Sequence, residues 1–126
     1  MNVRISTAAR QAMLALAAAD PTREVCGLLF GTDGVIESVE ATRNVAANPC
    51  LNFEIDPVAL IAALRAERAG GPPVVGYFHS HPNGLSRPSP TDIALAAPDN
   101  RLWIILGTTL TAWRSTPSGF VQIVLN

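Results

Sequence analysis

Apolar residues recur along this chain in two periods, and the changes between them mark its elements. From Ser6 or Thr7, either of which can cap a helix, Ala9, Ala12, Met13 and Leu16 follow at three- and four-residue spacing, which predicts a helix running to about Asp20. A helix with one apolar face has to cover something, and a sheet is expected beneath it. Glu24 to Gly31 (EVCGLLFG) is short, apolar and bounded by glycine, and Val35 to Thr42 follows after the turn signature Thr32-Asp33-Gly34. These two segments read as an antiparallel pair.

Beyond a polar loop through Asn48 and Pro49, Asn52 to Ile55 reads as extended. Asp56-Pro57 then supplies a cap and a first-turn proline for a second helix that ends near Gly70-Gly71 and carries Leu60, Ala63 and Leu64 on its apolar face. Val74 to His81 is strand-like, and Ser89-Pro90-Thr91-Asp92 opens a third helix. Leu102 to Leu106 is an unbroken apolar run of the kind found in a strand covered on both faces. Thr111 to Ser115 and Gly119 to Leu125 form a hairpin through Pro117-Ser118-Gly119. Strands both precede and follow the helices, with no repeat and no linker, so the expectation is one α/β domain over residues 1–126, a mixed sheet flanked by helices.

Composition narrows what such a domain does. A chain of 126 residues buries roughly two-thirds of its unfolded surface, enough for one core without a staple. The formal net charge is −1, with nine Arg scattered from Arg4 to Arg114 and no Lys, so the basic patch of a nucleic-acid binder is missing. The longest apolar stretch, Ala12 to Ala19, is far short of the roughly 20 residues that span a bilayer, which excludes a membrane helix. Arg4 and Arg10 ahead of that stretch loosely imitate a secretion signal, but a run made mostly of Ala suits an amphipathic helix, and the cytoplasm is the expected location. Cys26 and Cys50 form no CxxC pair, in keeping with a reducing compartment, though one bridge between them is left open.

The chemistry concentrates in Gly76 to Asp92, GYFHSHPNGLSRPSPTD. In a strand, residues two apart share a face, so His79 and His81 project together beside Tyr77. Pro82 ends the strand, a Pro-, Gly- and Ser-rich loop returns the chain, and Asp92 falls in the first turn of the next helix. Two imidazoles and one carboxylate make a zinc set with a position left for water, where a nearby base would complete a hydrolytic site. Each part has a plainer reading. Ser-Pro-x-Asp is also a capping box with proline at the first helical position, and His-x-His can be an ordinary polar face. The convergence of the only two histidines of the chain on one loop favours metal.

Here the sequence resembles a known family. Two His separated by one residue, seven residues to a Ser, two more to an Asp, and a Glu upstream on a strand are similar to the JAMM motif of MPN-domain metalloproteases; His79, His81, Ser89 and Asp92 match it without a gap. Glu24 in EVCGLLFG looks like the family's upstream glutamate, and NFEIDP (Asn52 to Pro57) resembles its segment before the second helix. The likeness spans about Glu24 to Gly107. It implies a cytidine-deaminase-like α/β/α sandwich, one zinc per chain on His79, His81 and Asp92, Glu24 as general base, and Ser89 stabilising the tetrahedral oxyanion. It also implies a metalloisopeptidase acting at the Gly-Gly tail of a ubiquitin-like or sulfur-carrier protein.

Glu54 competes with Glu24 for the role of base. Cys26 shares a face with Glu24 yet reads as a small buried core residue. Trp103 and Trp113 read as packing residues, and Asn83, Gly84 and Ser86 either touch substrate or merely turn the chain. The rival function is a non-catalytic MPN module that scaffolds a complex, a homodimer included. A nucleoside deaminase is disfavoured, since neither HxE nor PCxxC occurs, and no HExxH segment exists.

Overall fold

The computed structural model of the chain describes residues 2–126. Its order is β1 (Asn2–Ile5), α1 (Thr7–Ala19), β2 (Cys26–Thr32), β3 (Val35–Thr42), α2 (Pro57–Arg68), β4 (Val74–Ser80), α3 (Pro90–Leu95), β5 (Leu102–Leu106), β6 (Leu110–Thr116) and β7 (Gly119–Leu125). The helices begin where their caps place them. The Ser6 hydroxyl accepts the Ala9 N–H at 3.0 Å and the Asp56 carboxylate accepts the Val58 N–H at 3.0 Å, each satisfying a donor the first turn leaves unpaired.

The expected mixed α/β sheet is present, in the order β1-β3-β2-β4-β5-β6-β7. Its core is antiparallel except for the parallel pair β4–β5, which brings Tyr77 against Trp103 and His79 against Ile105. What the pattern of apolar positions did not announce is β1. This four-residue strand pairs in parallel with both β3 and β7 and so closes the sheet into a barrel, through Arg4 and Ile5 on one side and Asn2 and Val3 on the other. Gly34, at φ 81, makes the tight turn between β2 and β3, a backbone conformation that costs a residue without Cβ little.

The two faces of the sheet are filled differently. On one, α1 buries Ala9 and Met13 against Leu29, Ile36, Phe78, Ile104, Ala112 and Ile123. The apolar face of α1 continues through Leu16 and Ala17, while Ala12 is exposed, a rotation of one position from the expected stripe. On the other lie Cys26, Leu28, Tyr77, His79, Trp103 and Ile105, covered by the Asn52–Ile55 segment and by α2, whose Leu60, Ala63 and Leu64 are only half-buried. That segment makes one isolated β-bridge, Asn44 to Ile55, rather than a full strand, and the Asn44 side chain bonds its backbone at Asn52 and Glu54. Cys26 is buried and Cys50 exposed, both as free thiols.

Candidate metal centre

Strand alternation brings Tyr77 and His79 to one face of β4, and His81, one residue past the strand, follows them. The β2–β4 register sets Cys26 opposite His79. Beyond it, the Ser80 N–H bonds to the Val25 carbonyl (2.9 Å) and the Val25 N–H to the Ser80 hydroxyl (2.9 Å), which draws the residues before β2 alongside His81. Glu24 therefore arrives on the histidine face. Its backbone is fixed from the other side, its N–H donating to the Pro49 carbonyl and its carbonyl accepting from the Asn44 side chain, both at 2.8 Å.

The fourth group comes from α3. Ser89 caps this helix, its hydroxyl accepting the Asp92 N–H at 3.0 Å while its own N–H donates to Asp92 Oδ2 at 2.9 Å. The expected capping box is thus real. It also serves the cluster, because it aims the Asp92 carboxylate at the histidines. Since the hydroxyl oxygen takes up the cap, its hydrogen is left for another acceptor.

Glu24, His79, His81 and Asp92 are all buried, and one potential ligand atom from each lies within 4.8 Å of the others. Three of those atoms are closer: His79 Nε2 is 2.9 Å from His81 Nε2 and 3.0 Å from Asp92 Oδ2, and His81 Nε2 is 3.1 Å from the same oxygen. His81 Nδ1 lies 2.7 Å from the Leu85 carbonyl, so the ring proton of neutral His81 sits there and Nε2 presents a lone pair. Hydrogen bonds between neutral rings and a carboxylate leave at least one side of this triangle with lone pair against lone pair. A positive charge at its centre relieves that, and tetrahedral zinc with bonds of about 2.0–2.1 Å would want its ligand atoms about 3.3 Å apart, close to what is found. The donor set fits such an ion. Two orphaned buried atoms, Glu24 Oε1 and His79 Nδ1, also border the cluster.

Electrostatics tell the same story. Burial pushes the Glu24 carboxyl from its ordinary 4.5 up to about 8, against the pull of His81 and with a smaller push from the Asp92 charge. Burial would raise Asp92 as well, but the hydrogen bonds with His79 and His81 outweigh it and hold the carboxyl well below the usual range. His79 is lowered by burial, despite the Asp92 carboxylate. Burial also lowers His81, but its bonds to Asp92 and Leu85 prevail and leave it raised.

Beside the cluster runs a largely apolar groove of about 370 Å³, lined by Phe53, Leu60, Tyr77, Leu95 and Trp103, with Asp92 shared between groove and cluster. Glu54 lines it too, exposed and outside the cluster of four. Trp103 does more than pack, because its ring wall also forms part of this groove. Cys26 is buried with its sulfur near the Thr42 hydroxyl and the Thr42 and Arg43 carbonyls, so it serves the core.

Several supporting residues gave no sign in the sequence. Asn44 holds the Glu24 carbonyl and the Asn52 carbonyl with one amide, and accepts from Ala46 and Glu54 with its oxygen. Ser80 ties β4 to Val25. Gly107 lets the His81–Ser86 loop come close, since a Cβ there would stand 2.6 Å from the Leu85 carbonyl and 2.5 Å from the Ser86 hydroxyl. No local pattern marks any of them; a lone Gly after an apolar strand is the nearest to a signal.

A protein of Haloferax volcanii named desampylase is 40% identical over 78 residues, covering 60% of this chain and 56% of that one. A desampylase of Pyrococcus furiosus is 41% identical over 58 residues, 46% of this chain and 41% of its own length. A probable TtuB-protein conjugate cleaving protease of Thermus thermophilus is 40% identical over 71 residues, 56% and 47% of the two chains. The chain spans about half the length of these relatives. Among solved structures, a protein of Desulfitobacterium hafniense superposes with a TM-score of 0.84 at 28% identity, over 100% of this chain and 92% of that one. A JAB1/MPN domain protein of Archaeoglobus fulgidus, at 20% identity and a TM-score of 0.63 over 99% and 98% of the two chains, shares the fold. The profile described as prokaryotic homologs of the JAB domain matches residues 6–116, from the cap of α1 to the end of β6, and the chain belongs to that family.

Proposed function

We propose that this chain is a zinc-dependent metalloisopeptidase that hydrolyses an amide or isopeptide bond at the C-terminal tail of a ubiquitin-like or sulfur-carrier protein. One observation carries the reading: three buried ligand atoms on His79, His81 and Asp92 within 3.1 Å of one another, with the unpartnered carboxylate oxygen of Glu24 beside them. In this reading His79, His81 and Asp92 hold the ion. Zinc, when bound there, supplies a Lewis acid that polarises the scissile carbonyl and acidifies water toward neutrality.

The chain's own groups do the rest. Glu24 takes a proton from the attacking water as its oxygen bonds to the carbonyl carbon, then delivers that proton to the departing nitrogen as the C–N bond breaks. The products are a carboxylate and an amine. A cation nearby favours the ionised carboxylate that the first step needs, opposing the burial that otherwise keeps Glu24 protonated. The Ser89 hydroxyl donates its free hydrogen to the oxyanion that forms between the two steps. The groove takes the tail as an extended segment, its apolar walls of Phe53, Tyr77, Leu95 and Trp103 leading to Asp92.

The names of the relatives support the substrate class, two being desampylases and one a TtuB-protein conjugate cleaving protease. All four groups come from one chain, so the chemistry needs no second copy, and intact ligands speak against a purely scaffolding role. No described helix is long and apolar enough to cross a membrane. Two free thiols suit a reducing compartment, and the cytoplasm is where we place the reaction. The test is cleavage of a ubiquitin-like protein fused through its terminal Gly-Gly to a reporter. Wild type with zinc should release the reporter and folded Glu24→Gln should not; equal release by both would remove the proposed base.

A further inference from the structure

The two histidines of the cluster are oriented by different means. His81 is held as metal-binding imidazoles usually are, by a hydrogen bond from its far nitrogen to a backbone carbonyl, that of Leu85 at 2.7 Å. His79 has no such bond: its Nδ1 is buried without a partner, and the residue is 0% exposed. The torsion that turns an imidazole about its Cβ–Cγ bond is soft, so a ring without a hydrogen bond needs another constraint to keep Nε2 on target.

Aromatic rings supply one. Phe53 stacks on His79 at a centroid distance of 4.0 Å and an interplanar angle of 18°, and Trp103 meets the same ring edge-on at 5.5 Å and 90°. Phe53 and Trp103 also brace each other, at 5.4 Å and 75°. Phe53 is itself held, because the backbone on either side of it is bonded to Asn44: the Asn52 carbonyl accepts from Asn44 Nδ2 and the Glu54 N–H donates to Asn44 Oδ1. A flat ring lying parallel to an imidazole permits sliding but blocks rotation out of the plane, and rotation is what would carry Nε2 away from Asp92 and His81.

We propose that Phe53, backed by Trp103, is the positioning residue of His79 and replaces the missing hydrogen bond in setting metal affinity. The inference rests on reading His79, His81 and Asp92 as the metal set, and its test separates the two. Zinc affinity is measured by competition with a chromophoric chelator, and the ligand geometry by the visible bands of the cobalt-loaded protein. Phe53→Leu keeps an apolar side chain but loses the flat face. It should bind zinc roughly 10- to 100-fold more weakly, the usual effect of losing an orienting partner, with altered cobalt bands. Phe53→Tyr keeps the face and should stay within about threefold of wild type, and so should Phe120→Leu, whose ring meets Trp103 at 4.9 Å and makes no ring contact with His79.

Unchanged affinity in Phe53→Leu overturns the inference, and so does equal weakening in all three variants, which would mean general loosening. Should Phe53→Leu not fold, Phe53→Met carries the same expectation. Wild-type zinc affinity in His81→Ala would overturn the metal set itself, whatever Phe53 does.

Discussion

Phe78 and His79 are neighbours in β4, both 0% exposed, and they face opposite sides of the sheet. Phe78 lies among Leu29, Met13 and Ile104 under α1, and Ser80, a buried polar side chain on the same face of β4, is paired with the Val25 N–H and the Arg23 carbonyl. His79 lies in a layer with two orphaned polar atoms, a carboxyl raised by burial and a helix, α2, that buries none of its residues fully. One face is stabilised by what it excludes. The other carries four buried groups able to hold a cation, and in the proposed function that cation completes it. Stability and chemistry are thereby separated by the two-residue period of a single strand.

The sharpest way to break this comparison is to substitute both neighbours. Phe78→Ala should cost about 3–5 kcal/mol of stability, with or without zinc, by the usual cost of emptying a core. His79→Ala should lower the urea midpoint of the metal-free protein less than Phe78→Ala does, and abolish the stabilisation that zinc brings to the wild type. A Phe78→Ala protein as stable as wild type would mean that the α1 face is not the stabilising one.

Glu24→Gln is next in size. It should lower cleavage by about 10²- to 10⁴-fold, the range for removing a general base, while zinc content measured by atomic emission stays at the wild-type level. Loss of zinc in this variant would make Glu24 a ligand rather than a base.

A third prediction uses the same residue without substrate. The folded-state Glu24 carboxyl lies above its ordinary 4.5, at about 8, so the folded chain binds the extra proton. Its contribution to stability is full below about pH 4.5 and is lost as pH rises through about 8. His81, also raised, acts in the same sense, whereas the lowered His79 and Asp92 contribute stability that is lost on acidification. Comparing wild type with Glu24→Gln isolates the first effect: metal-free wild type should lose more stability between pH 5 and 9 than the variant. Parallel curves would show that burial does not hold the proton on Glu24.

Smaller effects come from the supports. Gly107→Ala must push back the Leu85 carbonyl or the Ser86 hydroxyl, an overpacking worth about 1–3 kcal/mol, and should weaken zinc binding through His81. Ser89→Ala should cost about 1 kcal/mol as a lost helix cap and slow cleavage further than that loss of stability explains. An Ala at 89 that cleaves at the wild-type rate would leave Ser89 a cap alone.

Much of this arrangement is legible in the sequence because it is local. His79-x-His81 needs only the strand period, and Ser89 to Asp92 needs only the geometry of one helical turn, so the proposed metal ligands and the cap are readable as spacings. The boundaries of β3, β5 and β7 follow directly from apolar runs and turns. What escapes reading depends on distant contacts. Asn44 acts on Glu24 from 20 residues away and Ser80 on Val25 from 55, and nothing in either neighbourhood marks the partner. The four residues of β1, NVRI, are too few to show a period, although they close the barrel. Phe53 reads as one apolar residue in an extended segment; only the folded sheet places it over His79.

Native mass spectrometry of the zinc-exposed, desalted protein, wild type beside folded His81→Ala, tests the metal centre most directly. One zinc per wild-type chain, lost in the variant, is the predicted result. No zinc on the wild type, or the same zinc on both, would contradict it.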